Sequence, residues 1–212
     1  AATMMVSGPS GPQLSFSPGR IDPTSSAFIN SRKPLAAEFL FNGQTLFVIA
    51  NHFNSKGGDN PLFGRFQPPV LTSEVQRLQQ AQIVNDFVDA ILAADSQANV
   101  IVLGDLNDFT FSPPLATLKG GVLTNLIETL PENEQYTFIF EGNSQVLDHV
   151  LISDNLRDTA SPALDIVHFN TEFADAVSDH DPAVARFTLV EEVAEVHDLA
   201  VTSTSSRRKP LL

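Results

Sequence analysis

At four places in this sequence, acids, amides and imidazoles stand directly behind or within apolar runs. Asp105, Asn107 and Asp108 follow Val100-Ile101-Val102-Leu103 and a single Gly104, while Asn51 and His52 follow Leu46-Phe47-Val48-Ile49-Ala50. Asp148 and His149 interrupt the run at 146–153, and Ser178-Asp179-His180-Asp181 precede a last apolar stretch. Asp105 and Asn107 are two apart, so in extended chain their side chains share a face. Oxygen donors on a rigid strand end suit a hard cation such as Mg²⁺. Asp148, between Leu147 and Val150-Leu151-Ile152, must be at least partly buried, and a buried carboxylate needs a partner. His180 is a candidate, because a ring N–H donated to Asp148 fixes the tautomer and favours the imidazolium. His52 offers a second imidazole. Each group also has a plain structural reading: an Asp/Asn turn bonded to its own backbone, a buried ion pair, a strand-end histidine on a carbonyl. Four strand ends of this kind together are harder to account for that way.

The elements that must position these groups are legible in part. The run at 100–103 reads as a strand buried on both faces, ended by the Gly104 turn. Residues 35–41 and 45–51 read as two strands joined through Asn42-Gly43, the strongest short hairpin signal. Ser73 offers a helix N-cap with Gln76 at the capping-box position. Leu78, Ala81, Val84, Phe87, Val88, Ile91 and Leu92 then follow helical spacing. A helix joining two buried strands favours parallel pairing, or at least a place in the same sheet. Ser112-Pro113-Pro114 predicts a short capped helix ending at Gly120-Gly121, and 122–130 another. Residues 136–140 and 146–153 read as a second hairpin around 141–144, followed by strands at 165–170 and 183–190. Residues 57–72 read as a long loop. Residues 1–31, rich in Gly, Pro and Ser, read as a loop-rich lead-in from a truncated domain, entered partway through a longer protein. The domain then runs over 32–190, and 191–212 reads as a linker or disordered tail.

Composition bounds the rest. The 212 residues suffice for a sizeable core, and with no cysteine there is neither a disulfide nor a thiolate metal site. No apolar run approaches the ~18 residues that cross a bilayer, and the opening residues do not read as a signal peptide. The net charge of −13 is uneven: residues 1–80 carry six Lys and Arg against four acids, and 81–212 carry six against twenty-one. A generic nucleic-acid binder would carry a basic stripe instead. An acidic half is compatible with bound cations. Lys56, Arg65 and Arg77, with Arg32, fall in the less acidic part and could guide a polyanion.

Taken in order, Asn51-His52-Phe53, Gly104-Asp105-Leu106-Asn107, Leu147-Asp148-His149 and Ser178-Asp179-His180 resemble the motifs of the endonuclease/exonuclease/phosphatase superfamily. Ser31-Arg32-Lys33-Pro34-Leu35, residues 51–57 and Tyr136-Thr137-Phe138 are similar to its bacterial extracellular nuclease branch. The resemblance implies an α/β fold, a two-sheet α/β sandwich of the deoxyribonuclease-I-like type, whose N-terminal strands are missing here. It implies a secreted or cell-surface, metal-dependent phosphodiesterase that cleaves DNA, with RNA as the second candidate, by in-line attack of water. No membrane span and no obligate protein partner are expected. By resemblance His180, held by Asp148, contacts the scissile phosphate, and Asp105 orients or deprotonates the water. Asn107 holds the phosphate or a metal, and His52 stabilises the pentacoordinate phosphate or assists the leaving oxygen. Asp105, Asn107, Asp179 and His180 are the implied metal ligands, for Mg²⁺ with Mn²⁺ or Ca²⁺ as alternatives. Arg32, Asn51 and Arg77 are the implied substrate contacts. One departure stands out: the family's early Asn and the Glu that binds Mg²⁺ have no counterpart in this chain. A lipid or sugar phosphodiesterase or phosphatase on the same scaffold, or a non-catalytic surface module, remains the alternative.

Overall fold

A computed structural model describes residues 1–8 and 11–190, so the tail expected at 191–212 lies outside the described residues. In chain order the strands are β1 (Ala2–Thr3), β2 (Met5–Gly8), β3 (Gly11–Leu14), β4 (Gly19–Ile21), β5 (Leu35–Phe41), β6 (Gln44–His52), β7 (Asn99–Asp105), β8 (Leu123–Asn125), β9 (Phe138–Phe140), β10 (Asn143–Gln145), β11 (Asp148–Ser153), β12 (Ala163–Ile166) and β13 (Ala183–Arg186). The helices are α1 (Glu74–Ala94), α2 (Pro113–Lys119) and α3 (Asp154–Thr159). Seven strands form one mixed sheet in the order β1-β4-β5-β6-β7-β11-β8. The parallel pairing of β6 with β7 across α1 is the one the sequence favours, and β11 runs antiparallel to β7. This is an α/β fold of the deoxyribonuclease-I-like type, a large central sheet with few helices.

Alternation along the strands builds two cores. Phe47, Ile49, Val100, Val102 and Leu151 face Ala81, Val84, Val88 and Ile91 of α1, with Leu115 and Leu118 of α2 behind them. Leu46, Ile101, Val150 and Ile152 face the other way, onto Leu156 and Ala160, with Leu164 and Ala185 of the β12–β13 pair packed against them. Burying one such Val, Leu or Ile side chain contributes roughly 1.5–3 kcal/mol, so the two-sided run at 100–103 has no stable place except mid-sheet. The Asn42-Gly43 turn has φ of 49° and 77°, the double left-handed geometry of a type I′ hairpin.

Several sequence expectations are corrected. Residues 1–31, read as loop, supply β1 and β4 to the main sheet, the β2–β3 hairpin and a 3-10 turn at Ser26–Phe28. Short strands and a turn anchored by buried residues such as Leu14, Ile21 and Phe28 are hidden among Gly and Pro. The stretch 122–130 is β8 plus a 3-10 turn at Leu126–Thr129, because Asn125 caps the amide of Ile127 and ends the strand. The second hairpin closes between β9 and β10 through Glu141-Gly142, while β11 leaves it to pair with β7 and β8. The polar Asn143-Ser144-Gln145 tolerates an exposed edge, and Val150-Leu151-Ile152 does not. The last two strands are shorter than read, at Ala163–Ile166 and Ala183–Arg186. Ser73 forms no capping box; its hydroxyl donates to Asp59 at 2.6 Å. The buried face of α1 includes Arg77, Gln80 and Asn85, whereas Leu78 is 37% exposed. Gln80 bonds Ala27 O and the Ser31 hydroxyl, which fastens the helix to the 3-10 turn.

Candidate active site

Three adjacent strands end or begin at one rim of the sheet. His52 closes β6, Asp105 closes β7, and Asp148 opens β11; His52 is the register partner of Asp105, and Asp105 of Asp148. The three continue the alternation of Val48, Leu103 and Val150, so all point to the face away from α1. His52 Nε2 lies 3.3 Å from Asp105 Oδ2. His180 arrives from the far end of the chain, guided by an isolated bridge to Phe138, and its Nδ1 meets Asp148 Oδ2 at 2.5 Å. The Phe138 ring leans on the imidazole, with centroids 4.9 Å apart. A cavity of about 630 Å³ opens beside this pair, between Leu103 and Val150 on one side and Phe169 and Phe187 on the other.

Two residues of positive φ shape the end of β7 and the turn that follows it. Gly104 has φ 124°, and a Cβ there would stand 2.0 Å from the carbonyl oxygen of Asn51, so only glycine lets β6 and β7 close at this point. Asn107, at φ 52°, folds its side chain back to donate to Asp105 Oδ2 at 3.0 Å and to Phe53 O at 3.2 Å. Its amide donates to Asp105 Oδ1 at 2.9 Å. Asp105 is therefore held on both oxygens. Burial, then the charge of Asp148, push its carboxyl above the usual range. The hydrogen bond to Asp148 raises His180 above an ordinary histidine, against the opposing pull of burial.

The structure thus brings His52, Asp105, Asn107, Asp148 and His180 together. Asp179 is exposed beside them, and Arg32 is exposed just before β5, whose first residue pairs with Ala50 near the same rim. Asn51 turns inward, donating to Ile49 O and Leu103 O, with its Oδ1 buried and without a partner. Arg77, expected at the substrate, is a correction: it is wholly buried, with Nε on Asp108 at 2.7 Å and Nη2 on Asp59 at 3.1 Å. Helical spacing alone places position 77 on the inward face beside Ala81, a signal outweighed by the habit of reading Arg as surface.

Sequence reasoning passes over three further contributors. Thr137, fully buried, accepts from the amides of Leu147 and Asp148 and so fixes where β11 begins. Asp181 accepts from His168, from both the amide and hydroxyl of Thr171, and from the amide of Asn170. His149, buried beside Asp148, is held below its ordinary pKa by that burial and donates from Nε2 to Asp108 O. Among the described residues no three His, Asp or Glu side chains converge closely enough to cage a metal ion on their own. The oxygen-rich rim still fits a hard divalent cation. Mg²⁺ typically takes one or two carboxylates and fills its shell with water and substrate phosphate, and a cation would relieve the repulsion between Asp105 and Asp148.

No curated protein matches the sequence. Solved structures do share the fold. Sphingomyelinase C from Streptomyces griseocarneus superposes with a TM-score of 0.52 at 17% identity, over 75% of this chain and 58% of that one. D. rerio TDP2, in complex with a single-strand DNA product, gives 0.55 at 20% identity, over 79% and 64%. A mannosyl-6-phosphatase of Bacteroides thetaiotaomicron gives 0.51 at 17% identity, over 74% and 57%. The chain spans less than two thirds of the length of each of these three. Residues 15–177 match the Endonuclease/Exonuclease/phosphatase family, most of the chain and all but the last members of the clustered rim, and the chain belongs to that family.

Proposed function

We propose that this chain carries the catalytic rim of a divalent-metal-assisted phosphodiester hydrolase of the bacterial extracellular nuclease type, acting on DNA, with RNA as the second substrate. The observation that carries the reading is the His180–Asp148 pair set beside Asp105, from three distant stretches of chain. In-line displacement at phosphorus needs an aligned water, positive charge at the non-bridging oxygens and a proton for the departing oxygen. Asp105, with its carboxyl pushed up by burial and by Asp148, is the group to orient the water and accept its proton. Asn107 keeps that carboxylate aimed by donating to it. His180, its Nδ1 committed to Asp148, presents Nε2 and a retained proton to the phosphate. His52 lies against Asp105 and supplies a second imidazole beside the reacting centre. Asp105 and Asn107, with Asp179 at the rim, are the residues that would hold the cation, which would neutralise charge on the phosphoryl oxygens; His180, expected as a further ligand, has no free lone pair while it keeps both protons. Arg32 is the exposed cation placed to meet a neighbouring phosphate.

Plasmid nicking in Mg²⁺ or Mn²⁺ tests this. Asp105→Ala and His180→Ala should each lower the rate by at least about 100-fold, and chelation should abolish it. Nicking that survives both substitutions would overturn the mechanism. Turnover of sphingomyelin in place of DNA and RNA would keep the hydrolase and replace the substrate.

A further inference from the structure

The strongest unassigned feature is a set of buried charges beneath the catalytic turn, on the α1 side of the sheet. Asp108, 1% exposed, follows Asn107 directly. Its Oδ2 accepts from Arg77 Nε at 2.7 Å, and its Oδ1 from Lys56 Nζ at 3.2 Å and the Phe109 amide at 3.1 Å. Its carbonyl accepts from His149 Nε2 at 2.9 Å, and the other ring nitrogen of His149 receives the Asn125 side-chain amide, also at 2.9 Å. Arg77 continues the chain to Asp59 at 3.1 Å and to the Ser73 hydroxyl at 2.5 Å. One connected path therefore runs from α1, through Asp108, into β11 at the residue next to Asp148.

We propose that Asp108, clamped between Arg77 and His149, is a positioning residue that sets the distance between Asp105 and Asp148. A buried ion pair is poor value for stability, since an apolar pair of the same volume is often as good or better. What this one provides is direction. Asn107 sits in the left-handed region between two anchored acids, Asp105 held by the Asn107 side-chain amide and Asp108 held by Arg77. A turn fixed at both ends cannot roll, so Asp105 keeps its line to the water site. The Asp108 carbonyl and the β7–β11 register, in which His149 pairs with Gly104, tie the same turn to the strand that carries Asp148. The proposal rests on the hydrolase reading of this rim.

The test uses the protein with Asp108→Asn and, as the milder change, Arg77→Lys, which keeps the charge and loses the planar fork. Hydrolysis of bis(p-nitrophenyl) phosphate is followed, together with native-state hydrogen exchange at the Leu106 and Asn107 amides. Because a shift of about 1 Å in a reacting group costs on the order of 100-fold, kcat should fall by about 10- to 100-fold while KM moves less than about threefold. Exchange at the two amides should quicken while that of Leu151 in the core stays as it was. A folded variant with unchanged kcat, or with unchanged exchange at 106 and 107, overturns the proposal. If the unsubstituted protein hydrolyses no diester but the turn loosens as described, the hydrolase reading falls and the positioning link stands. A variant that loses both kcat and core protection assigns the cluster to general stability and also overturns it.

Discussion

Asp148 and His180 show how environment changes a pair of ordinary side chains. The carboxylate accepts the Nδ1 proton, and that hydrogen bond, more than any charge at longer range, raises the imidazole's pKa. The sign of the linkage follows. A histidine with a raised folded pKa stabilises the fold fully below its unfolded value of about 6.5, and the contribution is lost as pH rises through the folded value. Asp148→Asn removes the charge and keeps the shape, so His180 should shed its proton at lower pH. We expect kcat to fall by about 100-fold or more. The alkaline limb of the pH–rate profile should move towards acid, and ¹H–¹⁵N titration of the imidazole should move in step. An alkaline limb that stays in place would show that another group governs it.

At the level of elements, the site depends on β6, β7 and β11 stopping at one line, and Gly104 is where that line is drawn. A side chain there meets two penalties at once, a left-handed backbone at φ 124° and a Cβ 2.0 Å from Asn51 O. Gly104→Ala should destabilise the protein by about 3 kcal/mol or more, the sum of typical strain and overpacking costs, read as a lowered urea midpoint. The loss should exceed that of Gly121→Ala, where the added carbon meets nothing within 4 Å although φ is also positive. The sequence makes this part of the fold visible because long two-sided apolar runs, an Asn-Gly turn and apolar residues at helical spacing each have one favourable solution. It conceals β1, β4 and β8, whose two or three residues carry no period to read. It conceals the role of Arg77 for a different reason: only tertiary contacts with Asp59 and Asp108, 18 and 31 residues away, make a buried guanidinium tolerable. The five clustered site residues are legible because strand ends are local, and their common rim follows from the sheet order. Asp181 and Thr137 are not, since what they accept from, backbone amides and, for Asp181, also the His168 ring and the Thr171 hydroxyl, is brought to them only by the folded chain.

The whole molecule closes through the segment that delivers His180. Asp181 joins that segment to the rest: its amide donates to Thr137 O at 2.8 Å, and its carboxylate gathers His168, Asn170 and Thr171. His168 in turn lies flat on Tyr136, with ring centroids 4.0 Å apart, and the Tyr136 hydroxyl donates to Glu172 at 2.6 Å. The carboxylate thus folds 168–181 onto itself, and that stretch meets 134–138 through the Asp181 amide, the His168 ring and Tyr136. Burial alone would raise the Asp181 pKa, but the hydrogen bonds from Thr171 and His168 and the two amides outweigh it and bring the group down to about 2. A carboxylate with a depressed folded pKa contributes stability above its unfolded value, and that contribution is lost as pH falls through the folded one. The window here runs from about pH 4 down to about pH 2. Above it, the bonds to the ionised form are worth about 1–2 kcal/mol. Asp181→Asn should therefore lower the chemical-denaturation stability by about that amount at pH 7. The gap to the unsubstituted protein should narrow between pH 4 and pH 2, because acid removes from one protein the charge that the substitution has already removed from the other. A gap that stays constant over that range would mean that the carboxylate charge is not what holds the 168–181 stretch together. Since His180 lies next to Asp181 in the chain, the same acid range should also loosen the Asp148–His180 contact, visible as faster exchange at the His180 amide before the core of the sheet opens.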